Sequence, residues 1–314
     1  MTAQSYRAYF LVGPTAAGKT AVAQVLAERR NAFILSADSM LVYRGMDVGT
    51  AKPTVVERDG VRYWGVDVVA PTEPFTTALF IEEARRCFEA ATRDGREVIV
   101  VGGTGLYVRA LLDGLDLLPE VDPGVRARWQ SLFEREGTGG LQAALKRMNP
   151  DWFASLADPF NNRRLIRALE LCDSGCKAPP SSWKQGVNGH TVTGLDWARA
   201  DLTKRIDARV RTMYSLGLRE EVEALTNSGG LSASAAQAIG YSEALAWIKG
   251  GLSRDEAMAL TAARTRQLAK RQMTWFRHQL TVSWVTVTAG DSVAAAADRV
   301  AADWERRGPQ PVKL

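Results

Sequence analysis

The stretch Gly13-Pro14-Thr15-Ala16-Ala17-Gly18-Lys19-Thr20 constrains this chain more than any other. Its spacing is G-x-x-x-x-G-K-T. An apolar run, Tyr9-Phe10-Leu11-Val12, precedes it, and an alanine-rich helical pattern follows. That order predicts strand, glycine loop and helix. Glycines let the backbone curl so that successive N–H groups point at phosphate oxygens. The helix N-terminus adds partial positive charge. Lys19 supplies a full charge, and the Thr20 hydroxyl can hold a magnesium ion. A coincidental glycine-rich turn is the bland alternative, and the strand–loop–helix context weighs against it. The motif implies a polyphosphate ligand without saying which one, or what becomes of it.

The chain has 314 residues, 46% of them hydrophobic, which suits one large domain or two modest ones. No apolar run approaches the ~18 residues of a membrane span. The N-terminal residues Met1–Arg7 lack a signal-peptide pattern. Cys87, Cys172 and Cys176 are an odd, sparse set with poor zinc spacing. They read as reduced thiols of a cytoplasmic protein without membrane attachment. The net charge of +5 is a weak hint of an anionic partner.

Apolar runs at Tyr9–Val12, Phe33–Leu35, Trp64–Val69 and Val98–Val101 alternate with helical patterns, notably Thr20–Arg30 and Thr77–Arg93. This predicts an α/β fold, a mainly parallel sheet flanked by helices. From about Pro119 to Gly189 no strand run is convincing, and Leu132, Leu141, Leu145, Leu165, Leu169 and Leu171 sit in helical surroundings. Residues 119–189 are therefore expected to form a helical insertion, with a loop at Ala178–Ser182. Residues 1–118 and 190–314 are expected to form the core. A strand is expected at Thr191–Thr193 and one long helix near Thr203–Thr226. Ser253 and Glu256 form a capping box opening a helix to about Gln279. Thr281–Val287 reads as a last strand and Val293–Arg306 as a last helix.

Three features refine the phosphate reading. Asp38 ends the second strand, and ligands of open α/β sheets bind beyond the carboxyl ends of strands. It is a candidate metal ligand or general base, or a turn aspartate. Gly102-Gly103-Thr104-Gly105 follows the strand Glu97–Val101, where many P-loop hydrolases place a magnesium-holding aspartate. The missing acid counts against an ordinary ATPase, and a tight strand-to-helix turn is the plain alternative. Finally, Ala257–Leu280 holds five basic residues (Arg264, Arg266, Lys270, Arg271 and Arg277) and no acid, with Trp275, Phe276 and His278 among them. A second basic cluster is Asn161–Arg167. Basic groups with interleaved aromatics suit phosphate backbone and unpaired bases. A solvated basic face over core aromatics remains open, and helical spacing favours the core for Trp275 and Phe276.

Ser36–Pro53 (SADSMLVYRGMDVGTAKP) resembles the signature of tRNA dimethylallyltransferases, the isopentenyl transferases that modify the adenine 3′ of the anticodon. The loop GPTAAGKT, the turn VGGTGLY (Val101–Tyr107), the run RRLIRALE (Arg163–Glu170) and the run RQLAKRQMTWFR (Arg266–Arg277) fit in the same order. The resemblance implies a P-loop nucleoside-triphosphate-hydrolase-like core used unusually. Gly13, Pro14, Thr15, Ala16, Ala17, Gly18, Lys19 and Thr20 would bind the diphosphate of dimethylallyl diphosphate, with Mg2+ on Thr20. Asp38 would be the general base, Thr104 would place the reacting centre, and Arg209 would stabilise the leaving group with Lys19. Asp38, Ser39, Met40, Leu41, Thr104, Arg126, Arg163, Arg164, Leu165, Ile166, Arg167, Gln237, Ala238, Ile239, Gly240, Tyr241 and Ser242 would touch the anticodon stem-loop of tRNA. So would Lys270, Arg271, Gln272, Met273, Thr274, Trp275, Phe276 and Arg277. A cytoplasmic monomer is expected.

The chain departs from the family at Gln237 and Ser242, where basic or longer polar residues are common. It also lacks the histidines often seen near Val61–Asp67, and Leu79 stands where aspartate is common. A P-loop small-molecule kinase, a prenyltransferase of free adenine nucleotides and a non-catalytic RNA-binding module are the competing readings. The basic aromatic helix argues against the first, both RNA-facing basic segments against the second, and the complete loop with Asp38 against the third.

Overall fold

The computed structural model describes residues 5–114, 121–180 and 189–314. The chain divides into two compact units, Met1–Gly114 with Gly186–Leu314, and Leu115–Gln185.

The larger unit is built on a sheet ordered β3-β2-β4-β1-β5-β6. The strands are β1 (Tyr6–Val12), β2 (Ala32–Ser36), β3 (Tyr63–Trp64), β4 (Glu97–Gly102), β5 (Thr191–Trp197) and β6 (Thr281–Val287). All of these pair in parallel. The short β7 (Gln310–Val312) runs antiparallel to the start of β1. Parallel pairing needs crossovers, so helices cover both faces and the strands are apolar on both sides. In β1, Ala8, Phe10 and Val12 face one core while Tyr9 and Leu11 face the other. The helices of this unit are α1 (Lys19–Arg30), α2 (Thr77–Arg93) and α3 (Gly105–Asp113), then α7 to α11. These last are Arg199–Ser215, Leu218–Asn227, Tyr241–Ile248, Arg254–Gln279 and Val293–Arg307. Buried residues of α1 and α11 join one core, and those of the other helices join the opposite core.

The smaller unit holds α4 (Pro123–Met148), α5 (Pro150–Ala154) and α6 (Asn162–Asp173). Leu141, Leu145, Trp152, Leu165 and Leu169 close its own apolar core. The expected loop at Ala178–Ser182 is irregular at Ala178–Pro180, and Ser181 and Ser182 lie outside the described residues.

Two sequence expectations are corrected. The helix expected at Thr203–Thr226 is two helices, because Gly217 adopts φ 97° between them. A left-handed residue ends the α-helical hydrogen-bond run, and glycine does so without strain. The strand expected at Trp64–Val69 stops at Trp64. Asp67 sits at φ 56°, and its carboxylate receives the buried Lys52 ammonium at 2.6 Å. That turn pulls the following residues off the sheet, and Val69 returns only as a single bridge to Tyr43. Among the described residues no helix is long and apolar enough to cross a membrane.

Candidate active site

Parallel strands place their carboxyl ends at one sheet edge. Val12 pairs with Gly102, and Ser36 pairs with Val101. The phosphate loop after β1, the glycine turn after β4 and Asp38 after β2 therefore converge. β1 lies between β4 and β5, so the loop sits where the chain reverses its direction of winding across the sheet.

The loop's carbonyls are held from outside. Trp197 Nε1 donates to the Ala17 carbonyl at 3.0 Å, and Arg205 Nε donates to the Ala16 carbonyl at 2.8 Å. Arg205 lies over the Trp197 ring at 4.4 Å. A peptide N–H points opposite its carbonyl, so fixing the Ala17 carbonyl on Trp197 also fixes the direction of the Gly18 N–H. Lys19 Nζ donates to the Pro14 carbonyl at 2.7 Å.

Three cations, Lys19, Arg205 and Arg209, line one cavity of about 600 Å³ together with Thr20 and Ala51. Burial pulls the Lys19 pKa down to about 8, opposed by the Asp38 charge and reinforced by Arg209. Burial also lowers the Arg209 pKa, again opposed by Asp38, and lowers that of Arg205. Two desolvated cations, Lys19 and Arg209, beside the exposed Arg205 favour an anionic ligand. A smaller cavity of about 80 Å³ is lined by Asp38, Thr15, Thr50, Ile239 and Gln272. Arg209 lines both cavities, with its guanidinium donating to the Thr50 carbonyl at 2.6 Å. Asp38 Oδ1 accepts the Met40 N–H at 2.9 Å. Thr104 Oγ1 accepts the Ser39 N–H at 3.1 Å, and the Thr104 N–H donates to the Ala37 carbonyl at 3.0 Å.

Close packing explains the glycine turn. A Cβ at Gly105 would lie 2.1 Å from the Trp275 ring, and one at Gly103 would lie 2.3 Å from Gln272 Nε2. α10 therefore rests directly on the turn, and neither Gly103 nor Gly105 has room for a side chain beneath it.

The basic helix resolves into two kinds of cation. Arg264 pairs with Glu243, Arg266 with Asp207, and Arg277 with Asp196 at 3.4 Å. Lys270 and Arg271 are exposed and have no acidic partner among the described residues. Lys270, Met273, Thr274 and Arg277 line a third cavity of about 570 Å³ that reaches Pro14 of the loop. In the smaller unit Arg126 and Arg163 are exposed, while Arg164 and Arg167 are half-buried. The buried Glu170 carboxylate receives Arg167 at 2.9 Å and Arg126 at 3.6 Å.

The positions read as RNA contacts differ in exposure. The side chains of Leu165, Ile166, Ala238, Tyr241 and Phe276 are buried, and Gly240 is enclosed. Gln272 spends its amide inside the protein, on the Thr15 N–H and the Gly103 carbonyl. Ser39, Met40, Leu41, Ile239, Met273 and Trp275 are half-buried, and Gln237, Ser242 and Thr274 are exposed. The sequence reading missed Arg205 and Trp197. The signal for Arg205 was its place four residues before Arg209, on the same helix face. Trp197 carried no such signal.

Comparison with known proteins shows the family of the chain. A family model described as IPP transferase matches residues 41–279, and one described as isopentenyl transferase matches residues 6–67. The chain belongs to the IPP transferase family. It is 40% identical to tRNA dimethylallyltransferase 1 of Trichlorobacter lovleyi over 287 residues, covering 89% of this chain and 93% of that one. It is 38% identical to the tRNA dimethylallyltransferase of Acidothermus cellulolyticus over 307 residues, covering 96% of each. The crystal structure of a full-length tRNA isopentenylpyrophosphate transferase from Bacillus halodurans superposes with a TM-score of 0.69 at 34% identity. That match covers 96% of this chain and 97% of that one. The fold is thus the family's P-loop-like α/β core carrying additional helices.

Proposed function

We propose that this chain transfers a dimethylallyl group from dimethylallyl diphosphate to the exocyclic N6 amine of the adenosine 3′ of the anticodon in tRNA. The observation that carries this reading is Arg209, shared between the three-cation phosphate cavity and the small cavity holding Asp38. One side chain then borders both the leaving group and the base.

In this reading the allylic carbon–oxygen bond breaks and its electron pair leaves with the diphosphate. Lys19, Arg205, Arg209 and the loop N–H groups stabilise the developing charge. The adenine N6 forms the new bond to carbon and passes its proton to Asp38. Thr104, held against Ser39 and Ala37, places the reacting centre. The adenine leaves its stack to reach a buried donor. Lys270, Arg271 and Arg277 on α10, with Arg126, Arg163, Arg164 and Arg167 of the insertion, take the phosphates of the anticodon stem-loop.

The hydroxyl oxygen of Thr20 fits a hard cation such as Mg2+, which takes few protein ligands beside phosphate oxygens and water. Among the described residues no group of three or more His, Cys, Asp or Glu forms a metal site of its own. Thr20 would therefore hold the ion jointly with the diphosphate, and the ion would neutralise phosphate charge. We place the enzyme in the cytoplasm as a monomer, a setting that suits its three free thiols.

The test incubates the protein with radiolabelled dimethylallyl diphosphate and unmodified tRNA, with ATP as a parallel arm. Labelled tRNA without ATP is the expected result. Strict ATP dependence with phosphate release and no labelled tRNA would overturn the reading in favour of a kinase.

A further inference from the structure

Glu221, in the first turn of α8, gathers four hydrogen bonds on one carboxylate. One oxygen accepts the backbone N–H groups of Asp47 at 2.8 Å and Val48 at 2.7 Å. The other accepts the Gly49 N–H at 3.1 Å and the Tyr241 hydroxyl at 2.6 Å. Two carboxylate oxygens accept about four such bonds, so this group is saturated. The Tyr241 ring is fully buried and lies directly against Gly49, where a Cβ would stand 2.4 Å from the ring. Burial, reinforced by the Glu221 charge, pushes the Tyr241 pKa far above its ordinary value, so the hydroxyl keeps its proton to donate.

The segment held this way leads to the reacting centre. The next residue, Thr50, anchors its own hydroxyl on the Met46 carbonyl at 2.6 Å. Its carbonyl receives the Arg209 guanidinium at 2.6 Å. Gly49, Thr50, Arg209 and Asp38 line the same 80 Å³ cavity. A continuous path therefore runs from Tyr241 and Glu221, through a short stretch of immobilised backbone, to the cation shared by both halves of the site.

We propose that Glu221 and Tyr241 are positioning residues that set Arg209 against the diphosphate through the Asp47–Thr50 backbone, and that Tyr241 does not touch tRNA. The proposal rests on the functional reading above. A half-buried carboxylate that only stabilised the fold would not need to fix the three backbone N–H groups directly before the carbonyl that receives Arg209.

Tyr241→Phe is the main probe, because it removes the O–H and keeps the ring against Gly49. Affinity for inorganic diphosphate, measured directly by calorimetry, is expected to fall about tenfold, the share of one hydrogen bond to a charged group. Affinity for tRNA should stay within about twofold, on the same reasoning that no RNA contact is lost. Glu221→Gln should lose more, because its amide N–H groups would face backbone donors. The decisive arm is a double-mutant cycle. In an Arg209→Ala background, Tyr241→Phe should cause no further loss of diphosphate affinity, since its effect travels through Arg209. Additive losses would overturn the proposal. So would weakened tRNA binding with normal diphosphate binding, which would make Tyr241 an RNA contact. If wild type binds diphosphate and Tyr241→Phe binds it equally, this inference alone fails. If wild type does not bind diphosphate, the functional reading fails and takes this inference with it.

Discussion

Gln272 Oε1 accepts the backbone N–H of Thr15 at 2.7 Å. The other end of the same amide donates to the Gly103 carbonyl at 3.1 Å. One side chain of α10 thereby joins the phosphate loop to the glycine turn. The helix that carries Lys270 and Arg271 is fixed to the anion site by a direct bond rather than by packing alone. Gln272→Leu would leave both backbone groups unpaired. A stability loss of about 1–3 kcal/mol is expected, with weaker diphosphate binding. Urea denaturation and a diphosphate titration check the two effects separately.

Asp38 is the candidate proton acceptor. Asp38→Asn keeps its shape and removes the acceptor. Turnover is expected to fall by ~10²–10⁴-fold while tRNA affinity is retained. Single-turnover kinetics at saturating tRNA, beside a filter-binding measurement, separate these outcomes. Equal losses in both would assign Asp38 to orienting the RNA.

Lys19 titrates at about 8 because burial disfavours its charge. A bound diphosphate favours the charged form and raises that pKa, so binding above pH 8 takes up a proton. Affinity should therefore be full below about pH 8 and decline as pH rises through that value. Lys19→Arg stays charged across this range and should flatten the decline. Calorimetry in buffers of different ionisation enthalpy reads the proton uptake directly.

The Gly105–Trp275 contact leaves no room for a side chain. Gly105→Ala drives a Cβ into a rigid ring, and about 1–3 kcal/mol of destabilisation is expected. Adding Trp275→Leu should restore part of that loss. Thermal unfolding of the single and double variants decides this, and a double variant no more stable than Gly105→Ala would contradict the packing account.

The cations of α10 should differ in their salt response. Lys270→Ala or Arg271→Ala should each reduce the slope of log K against log salt by about one phosphate's share. Arg277 is shared with Asp196, so Arg277→Ala should reduce it less. A salt titration of tRNA affinity measures all three. An unchanged slope for every variant would mean that this face is only solvated.

Local chemistry made much of this legible in sequence. Strand, loop and helix around Gly13–Thr20 follow from short-range patterning, and so does the capping box of Ser253 and Glu256, which the structure shows in both directions. β6 occupies the predicted Thr281–Val287 because an apolar, β-branched run needs no distant partner to be recognised. β7 escaped notice because three residues containing a proline carry no periodicity, and only pairing with Tyr6–Ala8 makes them a strand. The break at Gly217 was similarly hidden, since an apolar stripe continues through it on both sides.

Sequence alone determined which chemical groups this protein owns: a phosphate loop, an acid at a strand end, and cations spaced along helices. It did so because each is written in contiguous residues whose spacing follows from backbone geometry. Which cations line the cavity at the glycine loop and which are neutralised at home was decided by the tertiary structure. Arg205 and Trp197 reach the loop carbonyls, Gln272 and Tyr241 turn inward, and Arg264, Arg266 and Arg277 find carboxylates on other elements. Those choices depend on contacts between residues distant in the chain, and charge, hydrogen bonding and burial act through space.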